Sequence, residues 1–259
     1  RSSIDLIVPK GTEDAYLAAK WTGFKSINII EEVSSGLPLK IYLEGASLNT
    51  NEGEEAYMRD DLRVAGIIPL VNPYQESEIE ILNLAPSVLE TTGSNAIVDW
   101  VYVEVRDGND ATIVVTSKSA LLQRDGDVVE TDGVSNLQFE NIADGDYYIA
   151  ISHRNHLGVL SGNSIALPGS GIDFSVDPSL VEGGVDALIE VRDGVFALLG
   201  GDYNSDGQVQ NTDQASIILN IGRSGYNNAD LDMNSEVQNS DVNKIFIKNI
   251  GKGIQFIKE

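Results

Sequence analysis

The chain has 259 residues and is 42% hydrophobic, enough to fill one large core or two to three small ones. Lysine and arginine number 17 against 40 acidic residues, and the resulting net charge of -23 repels phosphate backbones and anionic membrane surfaces, so nucleic acid and direct membrane insertion are not expected. No cysteine is present, which removes disulfides and thiolate metal sites, and no apolar run reaches the ~18 to 20 residues of a membrane span.

Ile4, Leu6 and Val8 alternate like a half-buried strand, Pro9 and Gly11 turn the chain, and a short helix is expected around Tyr16 to Ala19. Trp21, Phe24, Ile27 and Ile30 add one more apolar edge. One strand and one short helix cannot bury an apolar face alone, which is the position of a single repeat in a solenoid. The string IDLIVPKGTEDAYLAAKWTGFKSINIIEE resembles the last turn of a bacterial surface leucine-rich repeat array, through its VPKG, Tyr, Trp and Phe positions. That resemblance implies a terminal repeat over residues 1–35 with earlier repeats upstream. The plain alternative is an ordinary strand-helix start to the next domain. The immediate strand pattern, with no leader before it, suggests the tail of something longer.

Gly36 and Pro38 mark a joint, LPLKIYLEG reads as a strand, and the polar stretch from Ser47 to Asp61 reads as a long excursion. Ala96 to Arg106, Ala111 to Leu122 and Asp146 to Ser152 carry strand patterns. Asp107-Gly108, Asp125-Gly126, Asp132-Gly133 and Asp144-Gly145 separate them as turns. Short strands punctuated in this way predict an antiparallel β-sandwich over residues 36–182. Within residues 183–200, ALIEVRDGVFALL repeats the strand, Asp-Gly, strand order and predicts a connecting hairpin.

The chemistry concentrates in residues 201–259. Asp202, Asn204 and Asp206 stand at alternate positions, Gly207 permits a sharp turn, and Asp213 closes a twelve-residue window. Alternate oxygens of a tight loop converge on one point, as a hard cation such as calcium with six to eight oxygen ligands requires. Gln208 is expected to supply a backbone carbonyl, Gln210 a side-chain or water-mediated oxygen, and Asp213 a carboxylate from the first turn of a helix. The pattern recurs 28 residues later as Asp230, Asp232, Asn234, Glu236 and Asp241, so two calcium ions are expected. Ser235 replaces the turn glycine and Asn234 is neutral, so the second site is expected to be strained by ~1 kcal/mol and weaker than the first. Val209 and Val237 are expected to join the loops through a two-residue β bridge. Ala215, Ile218, Leu219 and Ile221 in one copy, and Val242, Ile245, Phe246 and Ile250 in the other, are expected to pack the following helices together.

These two loop-helix units resemble a type I dockerin, over roughly 53 residues. The resemblance implies a protein partner, read through Asn211-Thr212 and Asn239-Ser240, where dockerins meet their cohesins. The wider run NAIVDWVYVEVRD…SALLQRDGDVVETDG…YYIAISHRNHLGVLS resembles the ends of large exported surface proteins of Gram-negative bacteria, which implies an extracellular or cell-surface location, where even weak calcium sites fill. The expected architecture is therefore mainly β: an antiparallel β-sandwich with a leucine-rich-repeat terminal turn before it and a small α-helical dockerin-like calcium module after it.

No nucleophile elbow, phosphate loop or dinucleotide fingerprint occurs, and catalysis is not expected. His153 and His156, three apart on a strand, should point to opposite faces and so fail to share an ion. Trp100, Tyr102, Tyr147 and Tyr148 can be core residues or carbohydrate binders, with core packing the default. Asp125, Asp127 and Asp132 read as solvated turn acids or, less economically, a further cation site. The functional expectation is a calcium-stabilised C-terminal region of an extracellular multidomain surface protein, serving assembly, anchoring or adhesion through another surface or scaffold protein or through self-association. The alternative is the accessory carbohydrate-binding and docking region of a secreted polysaccharide-acting enzyme.

Overall fold

The computed structural model describes residues 5–9, 13–19, 24–30, 34–49, 51–74 and 83–253. Expectations resting on Ile4, Gly11, Trp21 and residues 254–259 lie outside these. Strand β1 (Leu6–Pro9), helix α1 (Glu13–Ala18) and β2 (Ile27–Ile30) come first, and β1 pairs in parallel with β2, Leu6 opposite Ile27. A helix between two parallel neighbours is the crossover that such a pair needs.

Next come β3 (Ser34–Leu37), β4 (Leu39–Lys40), α2 (Asp61–Val64), β5 (Ile97–Asp107), β6 (Val114–Gln123), β7 (Asp127–Val129), β8 (Leu137–Glu140), β9 (Gly145–Ser152), β10 (Val159–Leu160), β11 (Ile165–Leu167) and β12 (Ile172–Asp173). Eight of these strands form one curled sheet in the order β10-β9-β5-β6-β7-β4-β12, with β11 beside β9. Every pairing in it is antiparallel except β12 with β4. Strands β3 and β8 make a separate antiparallel pair. The mainly β, antiparallel character expected from the Asp-Gly turns is present, and the turn at Asp125-Gly126 links β6 to β7 with Gly126 at φ +93°. The LPLKIYLEG run is shorter as strand than expected, because after Lys40 the chain leaves the sheet for a bridge from Leu43 to Leu198.

Strand β5 is buried along nearly its whole length, so both of its faces are covered. Trp100 and Tyr102 are core residues; the Trp100 indole donates to the Pro69 carbonyl at 2.9 Å, and the Tyr102 ring lies 5.6 Å from that of Tyr74. The segment after α2 therefore lids part of the sheet. Tyr147 and Tyr148 are half-buried. Asp127 pairs with Lys40 at 2.9 Å and Asp132 caps its own turn by accepting from Val134 and Ser135, so these turn acids are satisfied separately.

The expected hairpin is formed by β13 (Leu188–Arg192) and β14 (Val195–Leu198). Leu188, Ala197 and Leu198 are buried in the sheet's core, and β14 is tied to Tyr42 and Glu44 by backbone hydrogen bonds. Beyond it lie α3 (Asn211–Asn220), a π-helical turn (Asp241–Phe246) and α4 (Ile247–Asn249). A second core gathers Leu157, Leu199, Val209, Ile217, Leu231, Val237, Ile245 and Phe246, so it joins residues on both sides of the hairpin. No helix among the described residues is long and apolar enough to cross a membrane.

Candidate metal centre

The two acidic windows fold alike, residue for residue. In the first, the Asp202 carboxylate accepts from the amides of Asp206 and Gly207, both at 3.0 Å; in the second, Asp230 accepts from Asn234 at 3.0 Å and Ser235 at 2.9 Å. Asp206 accepts from the Gln208 amide as Asn234 does from Glu236. Asp213 accepts from Asn204 and Gln210, and Asp241 from Asp232 and Gln238, so the last carboxylate of each window reaches back across its loop. Left-handed residues also match: Ser205 (φ +57°) with Met233 (φ +55°), and Gly207 (φ +84°) with Ser235 (φ +75°). The turn that glycine permits in the first loop is thus taken by a serine in the second.

Because Asp213 must face into its loop, it fixes the rotation of α3. Ile217, one turn on, faces the core, whereas Ala215, Ile218, Leu219 and Ile221 are exposed, contrary to the packing expected of them. In the second copy Val242, Ile245 and Phe246 are buried as expected, but Ile250 is exposed. The wider π-helical turn places Phe246, five residues after Asp241, on the buried side. It also absorbs an extra residue: Val209 exchanges backbone hydrogen bonds with Gly251 and Lys252, while Val237 does so with Gly222 and Arg223. The expected bridge between Val209 and Val237 is therefore replaced by two bridges, each joining one loop to the segment beyond the other copy's helix.

Asp230, Asp232 and Asp241 are all buried, and each offers an oxygen within 4.8 Å of the others. The Oδ1 of Asp232 is buried without a hydrogen-bond partner, its closest cation being Arg59 Nη1 at 3.7 Å. A buried, acceptor-only oxygen beside two further carboxylates is the donor set a hard divalent cation fits. Glu236 and Asn234 lie at the rim: Glu236 is exposed and accepts from Gln238, and the Asn234 carbonyl is engaged by the Glu236 amide. In the first loop Asp202 and Asp213 are buried, while Asn204, Asp206, Gln208 and Gln210 are exposed, with Asn204 and Gln210 donating to Asp206.

Burial pushes the Asp202 carboxyl up to about 7, with Asp213 and Asp206 adding repulsion against the opposing Gly207 amide. Burial likewise raises Asp230 to about 7, opposed by Arg154, and Asp232 to about 6, with help from Asp241. Asp241 is raised by burial too.

Sequence reasoning missed how the loops are seated. His153 and His156 follow the end of β9 in a turn rather than lying on a strand, so their Nδ1 atoms converge to 3.1 Å instead of facing apart. Asp99 accepts from Arg154 Nε at 2.9 Å and Tyr226 at 2.7 Å, and its other close neighbour is His153 Nε2 at 3.1 Å. Burial alone would raise the Asp99 carboxyl, but the Arg154 charge and the His153 hydrogen bond hold it below the usual range. Burial lowers both histidines. Arg154 also donates to the Asn227 carbonyl, and Asn155 donates to those of Asn228 and Asp230, so the SHRNH segment is the seat on which the second loop rests.

No protein family model matches the chain, and no curated protein does. Two solved chains from Acetivibrio cellulolyticus are similar at a distance. One comes from an N-terminal interface mutant of a type II cohesin-X-dockerin complex, at 14% identity over 86% of this chain and 97% of that chain, with a TM-score of 0.35. The other comes from a C-terminal interface mutant of the same kind of complex, at 21% identity over 59% of this chain and 81% of that chain, with a TM-score of 0.34.

Proposed function

We propose that this chain is a calcium-stabilised region of an extracellular multidomain surface protein, and that its role is assembly, anchoring or adhesion through protein-protein contact rather than catalysis. The observation that carries the reading is the pair of loops 28 residues apart with the same amide-to-carboxylate wiring and the same left-handed positions, each gathering buried aspartates. Asp202, Asn204, Asp206, Gln208 and Asp213 would serve one ion, and Asp230, Asp232, Asn234, Glu236 and Asp241 the other. Without a cation each loop crowds like charges whose burial already opposes ionisation; calcium would offset that repulsion and so favour the folded form.

A docking role is supported by the apolar side chains left outside. Ile218 and Leu219 on α3 are 50% and 78% exposed, and Ile247 on α4 is 53% exposed. Asn211 and Thr212, at the start of α3, are exposed as well. Such a surface supports the reading of a dockerin-like module that docks onto a scaffold or surface protein or onto a second copy. The carbohydrate-binding alternative loses two of its four aromatics, since Trp100 and Tyr102 are buried.

Calorimetry of the full chain with calcium and with chelator tests the reading. The unfolding transition is expected to fall by several degrees on chelation. An unchanged transition, together with no heat of calcium binding, would rule it out.

A further inference from the structure

The two loops share their internal wiring but not their surroundings. Arg59, which precedes α2 and lies 173 residues before Asp232 in the chain, reaches the second loop with its guanidinium: Nη1 donates to the Asp232 carbonyl at 3.0 Å and stands 3.7 Å from Asp232 Oδ1. Its backbone is pinned by donation to the Ala46 carbonyl, and its Nε lies 3.3 Å from Asp61 Oδ2. The side chain is 16% exposed, so its charge is only partly screened. Among the described residues no ion pair reaches Asp202, Asp206 or Asp213.

The asymmetry has a direct electrostatic meaning. In the second loop, Asp232 Oδ1 is the buried carboxylate oxygen without a hydrogen bond, and the positive charge nearest to it belongs to the protein. A fixed guanidinium at that distance offsets part of the repulsion among Asp230, Asp232 and Asp241. The same charge repels any divalent cation that the three carboxylates attract.

We propose that Arg59 is the resident counter-ion of the second loop: it keeps that loop folded when no cation is bound and makes it the weaker of the two calcium sites. The inference rests on the calcium reading of the loops and gives the rank order expected from Ser235 and Asn234 a separate, electrostatic cause. The first loop, with no such charge, is the tight site and the one whose geometry depends on calcium.

Calcium titration calorimetry on the chelator-stripped full chain, with Arg59→Met and Arg59→Lys beside the native protein, tests this. The native chain is expected to bind two ions with unequal affinities. Arg59→Met should tighten the weaker site on the order of tenfold, leave the tighter one unchanged, and lower the melting temperature more in chelator than in calcium. Arg59→Lys, which keeps the charge, should stay close to native affinities. Unequal sites that Arg59→Met leaves within twofold of native would overturn the counter-ion while sparing the calcium reading. A native chain that binds no calcium would overturn both. If Arg59→Met stays unfolded even in excess calcium, Arg59 is a structural strut and the inference fails; if it folds only with calcium, the inference stands.

Discussion

A β-carbon placed on Gly45 would lie 1.7 Å from the carbonyl oxygen of Leu231, so the two backbones meet with no side chain between them. The Gly45 amide is also held by His156 Nε2 at 3.2 Å, and Arg59 reaches Asp232 from the same side. The turn that follows Leu43 and the second loop are therefore fitted against each other at main-chain contact distance. Gly45→Ala must push them apart and is expected to cost about 3 kcal/mol, the upper end of overpacking penalties. Gly222→Ala, at φ +88° with nothing within 4 Å, should cost only about 1 kcal/mol of backbone strain. Urea unfolding followed by tryptophan fluorescence separates the two; equal losses would contradict the close contact.

Asp99 and Arg154 are both buried, and Arg154 Nη2 has no hydrogen bond of its own. Asp99→Asn leaves the guanidinium charge without its counter-charge and should cost roughly 3 to 5 kcal/mol. Asp186→Asn, which removes the exposed partner of Lys252, should leave the urea midpoint unmoved. A small effect at Asp99 would mean that the network linking β9 to residues 226–230 is not a source of stability.

What could be read from sequence was whatever depends on near neighbours. Asp-Gly turns, alternating strands and the loop spacing are short-range patterns, and β5, β9, the β13–β14 hairpin and the repeated turn at Gly207 and Ser235 follow them. The failures are all long-range. Which side of α3 faces inward depends on Asp213 reaching back to Asn204, so a run containing Ile218 and Leu219 looked like a packing face. His153 and His156 converge because the chain turns once β9 ends at Ser152, and that turn is held by the carbonyls of Asn228 and Asp230, far along the chain. Arg59 sits in a polar excursion with no local hint that it meets Asp232. The one legible clue to the π-helical turn was the count of residues after each closing aspartate.

Ser235 offers a direct exchange with Gly207. Both take the left-handed turn, and only glycine does so without a steric penalty. Ser235→Gly should therefore stabilise the chain by up to about 1 kcal/mol, and Gly207→Ser should destabilise it by a similar amount, when both are measured in calcium. A loss on Ser235→Gly would show that the serine side chain contributes more than the strain it causes.

Proton competition gives the last test. Asp202 and Asp230 titrate near 7 and Asp232 near 6 in the folded chain without calcium, whereas an unfolded aspartate titrates near 3.9. Between those values the folded form binds more protons than the unfolded one, so these groups favour folding at low pH and that contribution is lost as pH rises toward 7. His153 and His156 act in the opposite sense, since their folded values are lowered and their contribution is lost as pH falls through the ordinary histidine range. Only the aspartates are candidates to be held ionised by calcium, while the histidines contribute in both forms. The difference in melting temperature between calcium-loaded and chelated protein should thus be small at pH 5 and grow steadily to pH 7.5. Scanning calorimetry across that range checks it, and a difference independent of pH would show that the buried aspartates are not the groups calcium engages.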